Sequence, residues 1–195
     1  CGKFSVGRNH VKQRLAAPSD LLDIRELAEL QGIREEGGKI VIGAATKHFE
    51  TANSDVVKKA IPALAALAGM IGDPHVRHMG TMGGSVANAD PAADYPAAVL
   101  ALNATITTNK GTYQGDDFFT GMCETKLQPG EIIKSFAFPS PKRAAYQKFR
   151  NPAARYAMVG VFVAEMTDGT GCVCVTGAAP SLFRHNEMGQ KLRAR

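Results

Sequence analysis

Met79-Gly80-Thr81-Met82-Gly83-Gly84-Ser85-Val86-Ala87-Asn88-Ala89-Asp90-Pro91-Ala92-Ala93-Asp94-Tyr95 is the stretch on which the reading of this chain turns. It combines glycines, small hydroxyls, an amide and two carboxylates with very little bulk. Glycine permits positive φ and lets another molecule approach the main chain. Successive amides in such a run can converge on one anion, forming a nest for phosphate. Gly80-x-x-Gly83-Gly84 is not the Gly-x-Gly-x-x-Gly dinucleotide fingerprint, whose spacing serves a tight strand-to-helix turn. On these residues alone two readings stay open, a ligand-binding loop and a place where elements simply pack closely. Asn88, Asp90 and Asp94 suit either, as groups for ribose hydroxyls or ring nitrogens, or as caps and turn formers.

The chain as a whole, at 195 residues, allows one large domain or two small ones with a real core. Hydrophobic residues make up 45% and charged residues 21%, the composition of an ordinary globular protein. The net charge of +5 comes from scattered Lys and Arg, without the aromatic interleaving of a single-strand binder. A solvated basic surface, an acidic partner or an anionic cofactor would each suit it. None of the four cysteines, Cys1, Cys123, Cys172 and Cys174, forms a Cys-x-x-Cys pair, which argues against zinc or iron–sulfur ligation. Cys172 and Cys174 stand two apart in an apolar run, so a strand would bury both on one face as free thiols, in keeping with a reducing cytoplasm. No signal peptide is visible, and no apolar run reaches the roughly 20 residues of a membrane span, so a cytoplasmic protein is expected.

The pattern predicts short strands over residues 21–24 and 39–44, the second led in by a Gly37-Gly38 turn. Ser54 and Asp55 cap a helix through residue 60, and Pro62 starts another through 68. Asp94 reads as an N-cap for a helix over 96–102. Residues 104–108 alternate as a strand, 115–119 read as a loop turning phenylalanines inward, and 131–138 form a strand after a Gln128-Pro129-Gly130 turn. Pro139-Ser140-Pro141-Lys142-Arg143 is the best linker candidate. Beyond it, strands over 157–166 and 171–176 are joined by Asp168-Gly169, a hairpin signal, and the tail from Arg184 is helical in composition. The class is α+β, with two subdomains meeting near residues 139–143.

Other constellations carry little chemistry. His75 and His78 could share a metal on one helical turn, but no carboxylate or thiolate stands at ligand spacing, and a structural role is the simpler reading. Ser5, Ser85 and Ser140 lack a nucleophile elbow. Lys148-Phe149-Arg150 and Arg155-Tyr156 place cations and aromatics beyond the linker, either as a packed hairpin or as a second subdomain closing over an anionic ligand.

The segment from Ile71-Gly72-Asp73-Pro74-His75-Val76-Arg77-His78 through the glycine-rich run to Asp94 resembles the flavin loop of molybdenum hydroxylase FAD subunits. These are the medium subunits of aerobic carbon monoxide dehydrogenases and the FAD domain of xanthine dehydrogenases. The likeness continues through Asp116-Asp117-Phe118-Phe119-Thr120-Gly121, Leu127-Gln128-Pro129-Gly130-Glu131-Ile132-Ile133, and Tyr146-Gln147-Lys148-Phe149-Arg150-Asn151-Pro152-Ala153-Ala154-Arg155-Tyr156-Ala157-Met158-Val159-Gly160. The carbon monoxide dehydrogenase branch is the nearest in pattern. The resemblance implies a two-subdomain FAD-binding domain of the vanillyl-alcohol-oxidase (PCMH-like) type over 1–141, its N-terminal part incomplete. Residues 142–195 would begin a small α+β C-terminal domain, which reads as truncated.

It also implies FAD as cofactor, held by Thr81, Gly83, Gly84, Ser85, Asn88, Asp90 and Asp94, with Ile133 packing on the flavin and Lys148 near the isoalloxazine. Glycine amides would take the pyrophosphate. No catalytic residue and no metal ligand is expected on this chain. The implied role is electron transfer from [2Fe–2S] clusters to an external acceptor. The implied partners are a molybdopterin-binding large subunit and a [2Fe–2S] small subunit, assembled as a dimer of heterotrimers. The family's earlier Gly-Gly-x-Ser-x-Leu motif has its nearest counterpart in Gly2-Lys3-Phe4-Ser5-Val6, with Lys3 in place of a glycine, and Ala154 stands where serine is frequent. An alternative is a truncated paralogue that binds FAD weakly or not at all and acts as an interaction module; a basic nucleic-acid-binding domain is a distant third.

Overall fold

The computed structural model describes Asp20 and residues 22–193. Cys1, Leu21 and the Gly2-Lys3-Phe4-Ser5-Val6 segment lie outside the described residues. Strands β1 (Ile33–Glu36) and β2 (Lys39–Gly43) form a hairpin through Gly37 and Gly38, whose φ values of 58° and 72° suit glycine. Both belong to a five-stranded antiparallel sheet of order β1-β2-β7-β3-β4, with β3 Thr105–Thr108, β4 Thr112–Gln114 and β7 Ile133–Pro139. A second antiparallel sheet has the order β11-β10-β9-β8, with β8 Arg143–Arg150, β9 Ala157–Glu165, β10 Gly171–Thr176 and β11 Phe183–Arg184. A two-stranded ribbon, β5 (Phe119–Gly121) with β6 (Glu124–Thr125), completes the strands among the described residues.

Helices α1 (His48–Asn53), α2 (Asp55–Ala60), α3 (Pro62–Gly69), α4 (Pro74–Met79), α5 (Met82–Asn88) and α6 (Tyr95–Ala101) come after β2. Ser54 caps α2 by accepting the Val57 amide, and Pro62 occupies the first turn of α3. Helix α2 packs on β1 and β2 and α5 on β7, whereas α3 packs on β8 and α6 on β9 and β10. The helices thus form a layer between the sheets. One core joins all three layers, from Ile40, Ile42, Phe136 and Phe138 through Leu64, Leu67 and Tyr95 to Tyr146, Phe162 and Cys174. α7 (Gly115–Phe118) and α8 (Asn186–Arg193) complete the α-helices among the described residues, and Ala28–Leu30 is a short 3-10 turn.

Four expectations change. Residues 22–24 form no strand, because Asp23 accepts the Arg25 amide and side chain and bends the chain locally, leaving Leu22 exposed. Residues 115–118 are a helical turn that buries Phe118, not a loop. The glycine-rich run is not one loop, since its Met82–Asn88 part is helix α5. Asp94 stands at the N-cap position of α6 but makes no capping bond, because its carboxylate is engaged elsewhere.

Candidate functional site

The glycine-rich segment is built from its caps. Asp73 Oδ1 accepts the Val76 amide at 2.9 Å and, with Pro74 in the first turn, starts α4. The helix stops at Gly80, where the chain crosses His48 so closely that a Cβ would lie 2.5 Å from Nε2. Thr81 bridges Lys47 and caps α5, its Oγ1 accepting the Gly84 amide at 3.1 Å. The Gly83 amide donates to the Ala44 carbonyl at 2.8 Å, and a Cβ on Gly83 would lie 2.7 Å from both Ala44 Cβ and its oxygen. The amides expected to form an open nest are therefore used inside the chain. Gly83 serves close approach of helix to strand end. Gly84 differs: it is exposed, and a Cβ there would meet only Thr81 Oγ1, at 3.2 Å.

Ser85 is half-buried one residue further along α5, and Asn88 is exposed at its end. Ala89, in the left-handed region with φ 48°, terminates the helix. Asp90 Oδ1 accepts the Ala92 amide at 2.8 Å and turns the chain toward Asp94. Asp94 Oδ2 lies 2.9 Å from Lys148 Nζ, while Oδ1 accepts the hydroxyl of Tyr146. The Lys148 and Asp94 side chains are 0% and 5% exposed. Lys148 also donates to the Met70 carbonyl at 3.3 Å. Burial pushes the Asp94 carboxyl above its usual range, and the Tyr146 and Lys148 bonds pull it back in part. Burial, reinforced by Asp94, pushes the Tyr146 phenol upward, so it remains a donor.

Thr81, Gly83, Gly84 and Ser85 thus share the start of α5, Asp90 and Asp94 close the turn after it, and Lys148 reaches that turn from β8. Ile133 is buried at the start of β7, and the carbonyl of its neighbour Lys134 accepts the Ala44 amide at 2.9 Å, beside the Gly83 contact. No hydrogen bond joins Asn88 or Ile133 to the Asp94–Lys148 group among the described residues. A cleft of about 240 Å³ opens beside Thr81, lined by Arg25, Gln31, Lys47, Glu50 and Met79. A larger one of about 380 Å³ lies away from this segment, between Asp116, Cys172, Arg184 and His185.

Sequence reasoning missed Tyr146 and His48. The period-two spacing of Tyr146 and Lys148 could have placed both on one strand face. His48 is buried between Gly80 and Tyr95, its ring centroid 5.3 Å from that of Tyr95. Its Nδ1 has no hydrogen-bond partner among the described residues. Burial first, and then the Arg77 charge, push the imidazole down to about 4, so it is neutral at pH 7. His78 instead stacks on Phe49 at 4.2 Å and bonds the Pro74 carbonyl through Nδ1.

Residues 5–141 match the family described as the FAD binding domain in molybdopterin dehydrogenase. The chain belongs to this family. FAD is the cofactor that membership assigns. The FAD-binding chain is 35% identical over 170 residues to the carbon monoxide dehydrogenase medium chain of Afipia carboxidovorans, covering 84% of this chain and 59% of that one. It is 34% identical over 185 residues to the medium chain of Hydrogenophaga pseudoflava, covering 89% and 64%. The solved structure of the Cu,Mo-CO dehydrogenase in its cyanide-inactivated form superposes with a TM-score of 0.88 at 31% identity, over 98% of this chain and 71% of that chain. The FAD-binding chain thus spans 59% and 64% of the lengths of these two medium chains.

Proposed function

We propose that the protein is the FAD-binding electron-transfer subunit of a molybdenum hydroxylase complex, most like aerobic carbon monoxide dehydrogenase. It would pass electrons from [2Fe–2S] clusters to an external acceptor. The observation that carries this reading is the family match over 5–141, joined to a 0.88 TM-score superposition that continues beyond it. The partners would be a molybdopterin-binding large subunit and a [2Fe–2S] small subunit, in a dimer of heterotrimers. Residues 1–141 would be the FAD-binding domain and 142–195 the start of the C-terminal domain. The compartment would be the cytoplasm; among the described residues no helix is long and apolar enough to cross a membrane.

The residues present fit the cofactor. Gly84 offers an exposed main chain with no side chain in the way, and a cleft lies beside Thr81. Bound FAD supplies reversible redox chemistry that can take electrons singly and release them in pairs, which is chemistry of the cofactor, not of side chains. In this reading Thr81, Gly83, Gly84 and Ser85 shape the surface that meets the phosphates. Asn88 and Asp90 offer polar atoms to the ribityl or ring edge, and Ile133 gives an apolar wall. Asp94 holds Lys148 where its charge acts on the ring.

Titration of the purified chain with FAD tests the reading. Uptake at micromolar concentration, with protein-bound absorbance near ~450 nm, is expected for a flavoprotein. No uptake would overturn it, and would favour an interaction module that does not carry FAD. Co-purification with the molybdopterin and iron–sulfur subunits tests the partnership.

A further inference from the structure

Helix α4 buries none of its six residues. An element with no side chain in the core is held only by its ends and its neighbours, and it opens at the low end of a fold's stability range. At one end Gly72 has φ 48°. At the other, Gly80 crosses the His48 ring, where a Cβ would lie 2.5 Å from Nε2 and 2.9 Å from Cδ2. Between these glycines α4 meets α1 along one edge. The His48 amide donates to the Gly80 carbonyl at 3.0 Å, and the His78 ring stacks on Phe49. Past Gly80 the chain is fastened again, the Met82 and Gly83 amides donating to the carbonyls of Thr46 and Ala44 at 3.2 and 2.8 Å. Met79, at the end of α4, lines the cleft of about 240 Å³ beside Thr81, together with Lys47 and Glu50. Movement of α4 therefore alters that cleft while α5 stays in place.

His48 is the buried group under this edge. It is 4% exposed, and its Nδ1 has no hydrogen-bond partner among the described residues. A neutral imidazole has one N–H and an imidazolium two. With α4 in place, the second proton leaves an N–H at Nδ1 without an acceptor and a charge without water. The neighbouring elements do not compensate it. Helices α3 and α5 carry no charged residue, and Asp55, Lys58 and Lys59 of α2 are exposed. Lys47 is exposed, and Glu50 Oε2 already accepts the Lys47 amide. From α6 comes the Tyr95 ring, its phenol pushed upward by burial, next to an Asp94 carboxylate held by Tyr146 and Lys148. From α4 come exposed His75, His78 on Phe49, and Arg77. The Arg77 guanidinium is fixed by the carbonyls of Ile71 and Gly72 at 3.0 and 3.2 Å, and its charge opposes a second one on the imidazole.

We propose that α4 is a flap over the cleft beside Thr81, hinged at Gly72 and Gly80, latched by neutral His48 and released when the ring takes up a proton. Outward movement of α4 answers both costs of that proton, since it lets water reach the ring and carries Arg77 away from it. Nothing in this device depends on FAD. Its sign follows from linkage. With α4 in place the ring titrates at about 4, and once exposed it returns to the ordinary 6.5, so the open form binds the proton more tightly. Falling pH therefore favours opening, roughly sevenfold between pH 6 and 5 from these two values. The gain ends near pH 4, where the latched form is protonated as well.

Amide hydrogen exchange of the 195-residue chain, followed by NMR from pH 7 to 5 with each amide referred to its intrinsic rate, tests this. The reporter is the His48 amide, which loses its acceptor when Gly80 moves away. Its opening constant should rise roughly sevenfold between pH 6 and 5. It should also ignore urea well below the unfolding transition, because a flap exposes little surface. The Gly83 amide, past the hinge, should exchange more slowly at every pH. His48→Gln keeps the amide, removes the titrating ring and should flatten the profile. A His48 amide whose opening is the same at pH 7 and pH 5 overturns the latch, and this wild-type result decides the matter if His48→Gln does not fold. Exchange of that amide only through urea-dependent unfolding of the whole chain overturns the flap, and equal exchange at His48 and Gly83 overturns the hinge at Gly80. A profile as steep in His48→Gln as in the wild type overturns the role of His48.

Discussion

Asp94 and Lys148, 54 residues apart in sequence, meet at 2.9 Å with both side chains out of water. The contact ties the turn after α5 to the middle of β8, and so ties the glycine-rich segment to the second sheet. An ion pair of this kind weighs heavily when only one partner is removed, since the other is left charged and buried.

Lys148→Met should therefore destabilise the fold by about 3–5 kcal/mol, read as a lower midpoint in urea unfolding. Adding Asp94→Asn, whose side-chain oxygen can still accept from Tyr146, should recover part of that loss. A double variant as unstable as the sum of the two single ones would show that the pair is not coupled.

The two adjacent glycines of α5 should behave differently. Gly83→Ala sets a methyl 2.7 Å from Ala44 and should cost about 1–3 kcal/mol by overpacking. Gly84→Ala meets only Thr81 Oγ1 at 3.2 Å, so stability should be unchanged or raised by up to about 1 kcal/mol through helix propensity. Loss of FAD uptake in Gly84→Ala, with thermal unfolding unaltered, would mark Gly84 as the face that the cofactor approaches.

His48 gives a signed pH dependence. Its folded value of about 4 lies below the ordinary 6.5, so between these values the unfolded chain binds the extra proton. Stability from this residue is complete above pH 6.5 and is lost as pH falls toward 4. Its size is roughly 3 kcal/mol for a shift of this extent. Unfolding midpoints should fall over that window in the wild type, and less so in His48→Gln.

Cys174 is pushed up to about 12, by burial above all. Iodoacetamide at pH 8 should leave it unmodified in the native protein and label it after unfolding, as read by mass spectrometry. Labelling of native protein at Cys174 would mean that β10 opens readily.

Much of the architecture was legible where local chemistry decides it. Ser54 and Pro62 announced helix starts, Gly37-Gly38 announced a turn and Asp168-Gly169 a hairpin, and the prolines at 139 and 141 marked the passage between sheets. Legibility failed where distant partners decide. Asp94 has the chemistry of a cap and is taken instead by groups 52 and 54 residues away. The glycine-rich run looked like a loop because glycine disfavours helix. Contact with Ala44, unseen from sequence, outweighs that cost. The flavin family was legible from the combination of motifs. Tyr146 was not, since nothing near it in sequence says what its hydroxyl meets.

The contact between Gly83 and Ala44 also limits how this chain can vary. Glycine is already the smallest residue, so position 83 has nothing left to give when position 44 grows. Alanine 44 is then held almost as tightly as the glycine, although its methyl group carries no chemistry of its own. Among related sequences the two positions should not exchange bulk. Where 44 carries a larger side chain, β2 and α5 should stand further apart, and the surface near Gly84 should move with them.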